Sequence, residues 1–406
     1  MAWHVTLEGD TYEAARAAFE WDLPDDYNAA YDLVGKHDDR DAMALYQTYP
    51  DGRRESYTFG EVDALSNQLA NGLADLGVGR GDRVAVVVPQ KPENLFTHLA
   101  CWKLGAISVP LSILFGTDAI AYRLNHSGAV AAVIDESVRE TIDEARTDCP
   151  DLAHVVEVDG PAAGDALAFD QVLDGGDDEF DLASTDADTP ASILYTSGST
   201  GPPKGALHTH GVWPGHCPAF SMYFERDLDE SVFWTPADWA WIGALGDLVF
   251  PAWHYGRPVV GYPMGKFDPE RAFGLAETYG VTDAFLPPTA IRMMMDVDAG
   301  RYDLELSAIC SGGEPLTPEI LSWAAEELEG VAVNELYGQT VANLLVTNCR
   351  EWFPAQAGSM GKPVPGHDVA VIDPDTGDAL PTGEVGEIAV RHGDDPIIFA
   401  AYWEEP

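Results

Sequence analysis

The sequence predicts an α/β protein with two doubly wound α/β subdomains and a small β-barrel-like subdomain. Three observations lead to this fold class. Helical and strand patterns alternate from residue 60 onward, which is typical of parallel sheets covered by helices. Several strand patterns are continuous apolar runs, as expected of strands buried on both faces. Beyond residue 349 the pattern changes to short strands separated by turns.

The first subdomain is predicted over residues 1–180. An entry arm of short helices, residues 1–59, ends in strands over 43–49 and 55–59. Apolar residues recur at helical spacing over 60–73, and the run 83–89 is continuous and rich in β-branched residues. The elements predicted from there are a helix over 60–73, a strand over 83–89, a helix over 94–104, and strands over 106–110 and 129–134.

The remaining two subdomains are predicted over 181–345 and 346–406. Residues 150–188 are acidic and rich in Gly and Asp, and we interpret them as a connector. The predicted strands of the second subdomain cover 193–195, 258–262, 283–286 and 308–311, and its helices cover 269–279 and 318–328. Strands over 368–372 and 386–391, on either side of the turn at 373–377, are predicted in the β subdomain, which we interpret as a small β-barrel or a distorted sheet.

The composition limits the class of protein. The 406 residues include 68 acidic and 22 basic residues, which gives a formal net charge of −46. A hydrophobic content of 46% with 11 tryptophans argues for a packed core rather than a disordered chain. Such a charge favours a halophilic source, and it opposes nucleic acids and anionic membranes as partners.

Five widely spaced cysteines fit reduced thiols, and neither a signal peptide nor a membrane-spanning run is evident. We therefore expect a cytoplasmic protein.

Residues 195–205 are the most informative stretch and read YTSGSTGPPKG. Its glycines allow a sharp turn in which several N–H groups converge on one anion, and its hydroxyls and Lys204 add further donors. This combination suits a polyphosphate. It is not a Walker A loop, because Pro203 stands where the second glycine should be. A flexible surface loop is the alternative, but the apolar strand pattern that precedes the stretch favours a binding site.

This stretch resembles the phosphate-binding signature of the adenylate-forming enzymes, which include acyl-CoA synthetases, luciferases and adenylation domains. Two later stretches, SGGEPL at 311–316 and NELYGQT at 334–340, follow in the family's order. The chain most resembles the large N-terminal domain of a short- or medium-chain acyl-CoA synthetase. The resemblance implies ATP, coenzyme A and a small carboxylic acid as partners, with acyl-adenylate and pyrophosphate formed first and a thioester second.

The resemblance also implies roles for single residues. Thr196, Lys204 and Thr340 are implied to be catalytic. Gly312 and Gly313 are expected to form one wall of the adenine slot and Tyr337 the other. The full set implied to bind the nucleotide is Thr196, Ser197, Gly198, Ser199, Thr200, Gly201, Lys204, Gly312, Gly313, Glu314, Pro315, Asn334, Glu335, Leu336, Tyr337, Gly338, Gln339 and Thr340.

One position departs from the family. The residue after Thr340 is normally a glutamate that ligates Mg²⁺, whereas this chain has Val341, which offers no oxygen donor. Asn343 is a weak substitute, so we assign no metal ligand. The family's small C-terminal domain, with its adenylating lysine, does not follow residue 406, and we interpret this end as a truncation. His208 and His210 are interpreted as hydrogen-bonded structural residues.

Residues 233–243, FWTPADWAWIG, resemble the acyl-pocket segment of short- and medium-chain acyl-CoA synthetases. The pocket is predicted from Trp239, Trp241, Gly312 and Leu336; core packing is the alternative for the two tryptophans. Val341 and Leu344 are further candidates for the tunnel, and Asp238 is a candidate partner for a substrate ammonium group.

Two functional hypotheses remain open from the sequence. The first is an AMP-forming acyl-CoA synthetase, with an aryl-CoA ligase as a variant. The second is a non-catalytic remnant that binds nucleotide or acyl group, which Val341 and the end of the chain favour. The family often forms dimers, so a homodimer is expected.

Overall fold

The computed structural model describes residues 3–160, 162, 164–196, 201–393 and 395–404. Within these ranges no helix has both the length and the apolar character needed to cross a membrane. The helices are α1 Tyr12–Ala18, α2 Phe59–Asp75, α3 Pro92–Leu104, α4 Thr117–Ser127, α5 Arg139–Ala145, α6 Phe169–Asp174, α7 Val212–Tyr223, α8 Ile242–Ala244, α9 Phe250–His254, α10 Pro269–Tyr279, α11 Pro288–Met294 and α12 Pro318–Glu327.

The strands supply two large sheets and one hairpin. They are β1 Met43–Thr48, β2 Arg54–Thr58, β3 Arg83–Val87, β4 Ile107–Pro110, β5 Ala129–Asp135, β6 His154–Val158, β7 Leu167–Ala168, β8 Pro190–Thr196, β9 Lys204–Thr209, β10 Phe233–Trp234, β11 Val259–Gly261, β12 Asp283–Phe285, β13 Ala308–Ser311, β14 Ala332–Gln339, β15 Ala342–Thr347, β16 Lys362–Pro363, β17 Val369–Ile372, β18 Glu387–Val390 and β19 Ala401–Tyr402.

The first sheet has eight strands in the order β19-β9-β8-β4-β3-β5-β6-β7, and the second has nine in the order β16-β15-β14-β13-β12-β10-β11-β1-β2. Pairing is parallel from β4 through β3, β5 and β6 in the first sheet, and from β11 through β10, β12 and β13 to β14 in the second. Helices between successive strands cover these parallel parts, which confirms the predicted α/β class.

Local sequence explains where the main helices begin and end. Helix α2 starts with a capping box, in which the Thr58 hydroxyl accepts from the Glu61 N–H and the Glu61 carboxylate accepts from the Thr58 N–H. Helix α3 has proline at its first position and ends at Gly105, whose φ of +70° suits glycine. The carboxylate of Asp268 caps α10, which spans the residues predicted for it.

The segment 150–188 was predicted as a connector, and this is wrong. It contributes β6 and β7 to the first sheet, and α6 packs beside them. The high content of Asp and Gly hid these short elements, because only four residues of β6 form its buried run.

The barrel-like closure predicted near the C-terminus does not form among the described residues. There β17 and β18 pair only with each other as a hairpin, and β19 joins the edge of the first sheet. The predicted subdomain boundaries stay a prediction, and the sheets cross them. Strands β8 and β9 belong to the first sheet, whereas β1 and β2 lie at the edge of the second.

A C-terminal segment connects the two large sheets. The Phe399 N–H donates to the Val341 carbonyl beside β15, and Ala401 and Tyr402 pair with β9. The Ala400 N–H also donates to the Leu207 carbonyl in β9. The segment therefore holds the turn at residues 340–341 close to the strand that follows the predicted phosphate loop.

Candidate active site

The motif at 311–316 forms a ledge after β13. A Cβ built on Gly312 would lie 2.4 Å from the Leu336 side chain, so the space beside this glycine is occupied by leucine. Gly313 has a φ of +87° and no heavy atom within 4 Å of a Cβ position. Gly312 thus permits close packing of β13 against β14, and Gly313 leaves open space beside the ledge.

Glu335 stabilises the ledge through a hydrogen bond to its backbone. Its side chain is buried, and its Oε2 accepts from the Leu316 N–H at 3.1 Å. Burial raises the pKa of this carboxyl. The backbone of Glu335 is fixed as well, because its N–H donates to the Asn348 amide oxygen at 3.1 Å. The predicted nucleotide-binding residue Glu335 therefore lies within the ledge as a support.

The hairpin of β14 and β15 forms the facing wall. The register of the pair shifts between Tyr337 and Gln339, at Gly338. A Cβ on Gly338 would lie 2.4 Å from the Leu344 backbone nitrogen, so only glycine fits. Leu344 itself has a φ of +43°, a strained conformation for leucine. Asn343 is buried, and its amide donates to the Thr340 and Ile397 carbonyls at 3.4 Å each.

These two walls meet at a cavity of about 220 Å³. Its lining combines the ledge, the hairpin and a short segment after β10. The lining residues are Ile242, Gly243, Asp247, Phe285, Gly312, Gly313, Leu336, Gly338, Gln339, Thr340, Asn343 and Leu344. The structure therefore brings together six of the residues predicted for nucleotide or acyl binding, and Leu344, which was predicted for the tunnel, lies with them.

Asp247 is the one acidic residue among the described residues that line this cavity. It lies on a π-helical turn, Leu245–Val249, between α8 and α9; such turns are frequent at functional sites. Burial raises the pKa of Asp247 to about 8. Behind it, His216 of α7 places Nε2 at 3.9 Å from the Asp247 Oδ1, and burial lowers the pKa of His216 to about 3.

Sequence reasoning missed Asp247, although a signal was present. It is the single charged residue in the apolar run 242–253, where a solvent-exposed position is not expected. Ile242 and Gly243 were not selected, although they end the segment 233–243 that resembles an acyl-pocket segment. Phe285 was missed as well, and nothing in its local sequence distinguishes it from a core residue.

The predicted phosphate hairpin is described in part. Strands β8 and β9 pair antiparallel, and Thr196 stands opposite Lys204 at the open end. Ser197, Gly198, Ser199 and Thr200 lie outside the described residues. Gly201 has a φ of +99°, a backbone conformation that glycine adopts readily and that suits the sharp turn predicted for this stretch. The Lys204 ammonium lies 4.7 Å from the centre of the Tyr402 ring.

The two tryptophans predicted for the acyl pocket do not line the cavity. Trp239 is fully buried in the main hydrophobic core, next to Gly261. Trp241 is 45% exposed and meets the Phe115 ring edge-on at 6.0 Å. The interpretation as core packing holds for Trp239. Asp238 also points elsewhere, because its carboxylate accepts from the Ser112 hydroxyl and the Ala240 N–H.

Other residues of the predicted set lie beside the cavity rather than on its wall. Tyr337 is half-buried against the cluster formed by Leu345, Val346 and Ile397, so its stacking on adenine stays a prediction. The side chain of Asn334 is buried and donates to the Tyr223 carbonyl. Glu314 is exposed and pairs with Arg292 at 2.8 Å, and Pro315 follows it on the exposed end of the ledge.

The residues present do not supply a carboxylate for Mg²⁺ at the family's position. The Val341 side chain carries no oxygen, and Asn343, whose Nδ2 donates to the Thr340 and Ile397 carbonyls, offers a neutral amide oxygen in place of a carboxylate. In the part of the chain that the structure describes, no group of three His, Cys, Asp or Glu side chains is placed to hold a metal ion. Burial lowers the pKa of His208 to about 4 and of His210 to about 3, and the Ala29 N–H donates to the His210 Nδ1; the structural role of both histidines stays a prediction.

Comparison with known proteins agrees with this geometry. The family described as AMP-binding enzyme matches residues 33–403. The chain belongs to the AMP-binding enzyme family. Its relatives include a mitochondrial acyl-coenzyme A synthetase, ACSM4, from Rattus norvegicus, 33% identical over 98% of this chain and 70% of the relative. The acetyl-coenzyme A synthetase of Bacillus subtilis is also 33% identical, over 98% of this chain and 73% of the relative.

Solved structures support the fold of this AMP-binding enzyme. An acyl-CoA synthetase from Brucella canis superposes with a TM-score of 0.90 at 27% identity, covering 98% of this chain and 74% of the other. The anthranilate CoA ligase AuaEII, solved with anthranoyl-AMP, superposes with a TM-score of 0.85 at 25% identity, covering 94% and 72%. The predicted assignment to the AMP-forming acyl-CoA synthetases is thereby confirmed.

Proposed function

We propose that this chain activates a small carboxylic acid with ATP and passes the acyl group to coenzyme A. The observation that supports it is the convergence of the glycine ledge and the β14–β15 hairpin on one small cavity. Thr340 lines this cavity, and the C-terminal segment connects the hairpin to β9, the strand that begins at Lys204.

The reaction brings two anions together, the carboxylate of the acid and the triphosphate of ATP. Catalysis therefore depends on donors that neutralise charge and on a fixed geometry. The proposed donors are the hydroxyls of Thr196 and Thr340, the amides of the loop after β8, and the Lys204 ammonium. The acyl chain would occupy the cavity between Leu336, Phe285 and Ile242. No general base is needed, since the attacking carboxylate is already ionised.

The size of the cavity favours a short or medium acid over a long one. A volume of about 220 Å³ is below the range of about 300–1,000 Å³ that is usual for drug-sized ligands. The aryl-CoA ligase variant stays within the same proposal, since a single aromatic ring is also a small acyl group.

A non-catalytic remnant that only binds nucleotide or acyl group is the second candidate, and Val341 is the observation that favours it. The remnant hypothesis predicts AMP binding without adenylation. An AMP-forming synthetase predicts acid-dependent exchange of pyrophosphate into ATP by the unmodified chain.

Exchange of labelled pyrophosphate into ATP, measured in molar KCl with a panel of acids, tests both candidates. Exchange by the unmodified chain refutes the remnant hypothesis. If the chain binds AMP but exchanges only as Val341→Glu, the remnant hypothesis stands. The matched control is Val385→Glu: Val385 is 98% exposed, so the same substitution there should leave exchange unchanged.

A further inference from the structure

The Asp247 carboxylate faces the cavity without a protein donor. Asp247 is 7% exposed, and among the residues that the structure describes its carboxyl group makes no hydrogen bond. A buried carboxyl that makes no hydrogen bond costs free energy on the order of 1–3 kcal/mol. The wall of the cavity between the ledge and the hairpin thus contains a carboxyl group that makes no hydrogen bond with the protein residues described.

His216 does not form a hydrogen bond with the Asp247 carboxyl. Its Nδ1 lies 2.6 Å from the Val212 carbonyl, so Nδ1 carries the proton and Nε2 is left as an acceptor. Nε2 is fully buried, has no partner among the described residues, and lies 3.9 Å from the Asp247 Oδ1, beyond hydrogen-bonding distance. Gly246 makes this approach possible, because a Cβ there would lie 2.5 Å from Nε2.

The Asp247 carboxyl and the Nε2 acceptor of His216 therefore lie beside the apolar side chains of the cavity, whereas Gln339, Thr340 and Asn343 of the hairpin supply its other polar residues. The apolar surface consists of Ile242, Phe285, Leu336 and Leu344, and none of the described lining residues is a lysine or an arginine. A ligand with a hydrogen-bond donor at the end of its acyl chain should therefore bind this cavity more tightly than a ligand whose chain ends in a methyl group.

We propose that Asp247 determines the acyl specificity of this enzyme by accepting a hydrogen bond from a hydroxyl or amino group on the acyl chain of the substrate. The preferred acids are then hydroxy- or amino-substituted short acids rather than simple fatty acids. This inference rests on the proposed function, because it assigns the acyl group to the cavity beside Gly312. Asp247 acts on binding, through contact with the acyl chain, and takes no part in bond making.

The two donor types differ in proton balance. The Asp247 carboxyl, with its pKa raised to about 8 by burial, holds a proton at neutral pH in the free enzyme. An ammonium group would ionise it and release one proton to solvent. A hydroxyl group would bind with the carboxyl still protonated and release none. The titratable neighbours of Asp247 are His216 and Tyr223 of α7 and Cys310 of β13. All three stay neutral, because burial lowers the pKa of His216 to about 3 and raises the pKa values of Tyr223 and Cys310 well above their usual values.

The test uses the full chain and non-reactive acyl sulfamoyl adenosines in molar KCl. For each chain length from butanoyl to heptanoyl, three end groups of similar size are compared: methyl, hydroxyl and ammonium. Affinities are measured by calorimetry in two buffers of different ionisation enthalpy, which also reports proton release. We expect a donor-ended ligand to bind about tenfold to a hundredfold more tightly than its methyl counterpart.

Three variants make the result specific. Asp247→Leu should abolish the preference for the donor. Asp247→Asn keeps an acceptor oxygen and should retain a hydroxyl preference but lose an ammonium preference together with its proton release. Asp238→Asn changes the other carboxylate of the same segment, which binds Ser112 and Ala240 instead of facing the cavity, and should keep the preference.

Tighter binding of the hydroxyl-ended ligand without proton release supports the proposal and identifies a hydroxyl as the donor. Tighter binding of the ammonium-ended ligand with release of a proton also supports it and identifies an amino group as the donor. Tighter binding of the methyl ligand at every length, unchanged in Asp247→Leu, overturns the proposal and leaves the proposed function standing. If neither AMP nor any acyl sulfamoyl adenosine binds, both are overturned.

Discussion

Single residues of the site divide into those that face the cavity and those that hold others in place. Glu335 belongs to the second group. Its carboxylate accepts from the Leu316 N–H, and Leu316 is itself buried, so no water replaces this bond if it is lost. The motif alone implied contact with nucleotide, whereas the structure assigns this side chain to the ledge.

Replacing Glu335 by alanine should weaken binding of AMP and acyl sulfamoyl adenosines and reduce the free energy of unfolding by about 1–3 kcal/mol, because the Leu316 N–H becomes a buried unsatisfied donor. Glu335→Gln keeps a carbonyl oxygen and serves as the control, with a smaller loss. Chemical denaturation and calorimetry measure both quantities. Equal stability of Glu335→Ala and the unmodified chain would contradict the role.

Asp247 makes a pH-dependent contribution to stability. Its pKa is about 8 in the folded protein and about 4 in an unfolded chain, so between these values the folded state holds the extra proton. Stability therefore falls as pH rises through this window and levels off above it. The burial that raises the pKa is a cost of keeping a carboxylate in the cavity wall.

Asp247→Asn removes this cost. The variant should be more stable than the unmodified chain at pH 8, by an amount on the order of 2–4 kcal/mol, and the difference should shrink to nearly nothing at pH 4. Denaturant midpoints across this range, at constant KCl, measure the difference between the two proteins. A constant difference at every pH would show that Asp247 titrates normally.

At the scale of elements, the β14–β15 hairpin carries most of the candidate site. The motif at 334–340 assigned its first half to the site but predicted no strand there, and the bulge at Gly338 and the positive φ of Leu344 depend on the pairing of the two strands. The π-helical turn that carries Asp247 could likewise not be predicted from apolar periodicity. Its apolar residues run directly into those of α9, so the sequence pattern does not show where the turn ends.

Gly338→Ala tests the hairpin. The added Cβ would meet the Leu344 backbone at 2.4 Å, so the hairpin must shift, which should cost about 1–3 kcal/mol of stability and disturb the cavity. Gly274→Ala is the control. Gly274 lies in α10 with open space around its Cβ position, so alanine there should stabilise by about 0.5–1 kcal/mol. Equal free energies of unfolding for the two variants would contradict the close approach of Gly338 to the Leu344 backbone.

At the scale of the whole molecule, the charge of −46 dominates. The acidic residues are spread along the chain, so their mutual repulsion opposes the compact state wherever it is not screened. The screening length falls from about 10 Å at 0.1 M salt to about 3 Å at 1 M. The prediction of a halophilic source depends on this screening.

The melting temperature should therefore rise steadily between 0.1 and 2 M KCl. Repeating the scan in sucrose, an excluded but uncharged solute, separates charge screening from general exclusion of cosolute, since only KCl relieves repulsion. A melting temperature that is equal or higher in dilute buffer would show that the surface charge is compensated within the folded protein.

The sequence by itself determined the fold class, most central strands and helices, and the family, because these depend on apolar periodicity, on glycine at sharp turns, and on three motifs in order. Only the tertiary structure decided that β8 joins β4, that residues 397–402 connect the sheets, and that Trp239 packs in the core while Asp247 faces the cavity. The physical reason is that strand order and the orientation of a side chain in a buried helix depend on contacts between residues far apart in sequence, and no local pattern records those contacts.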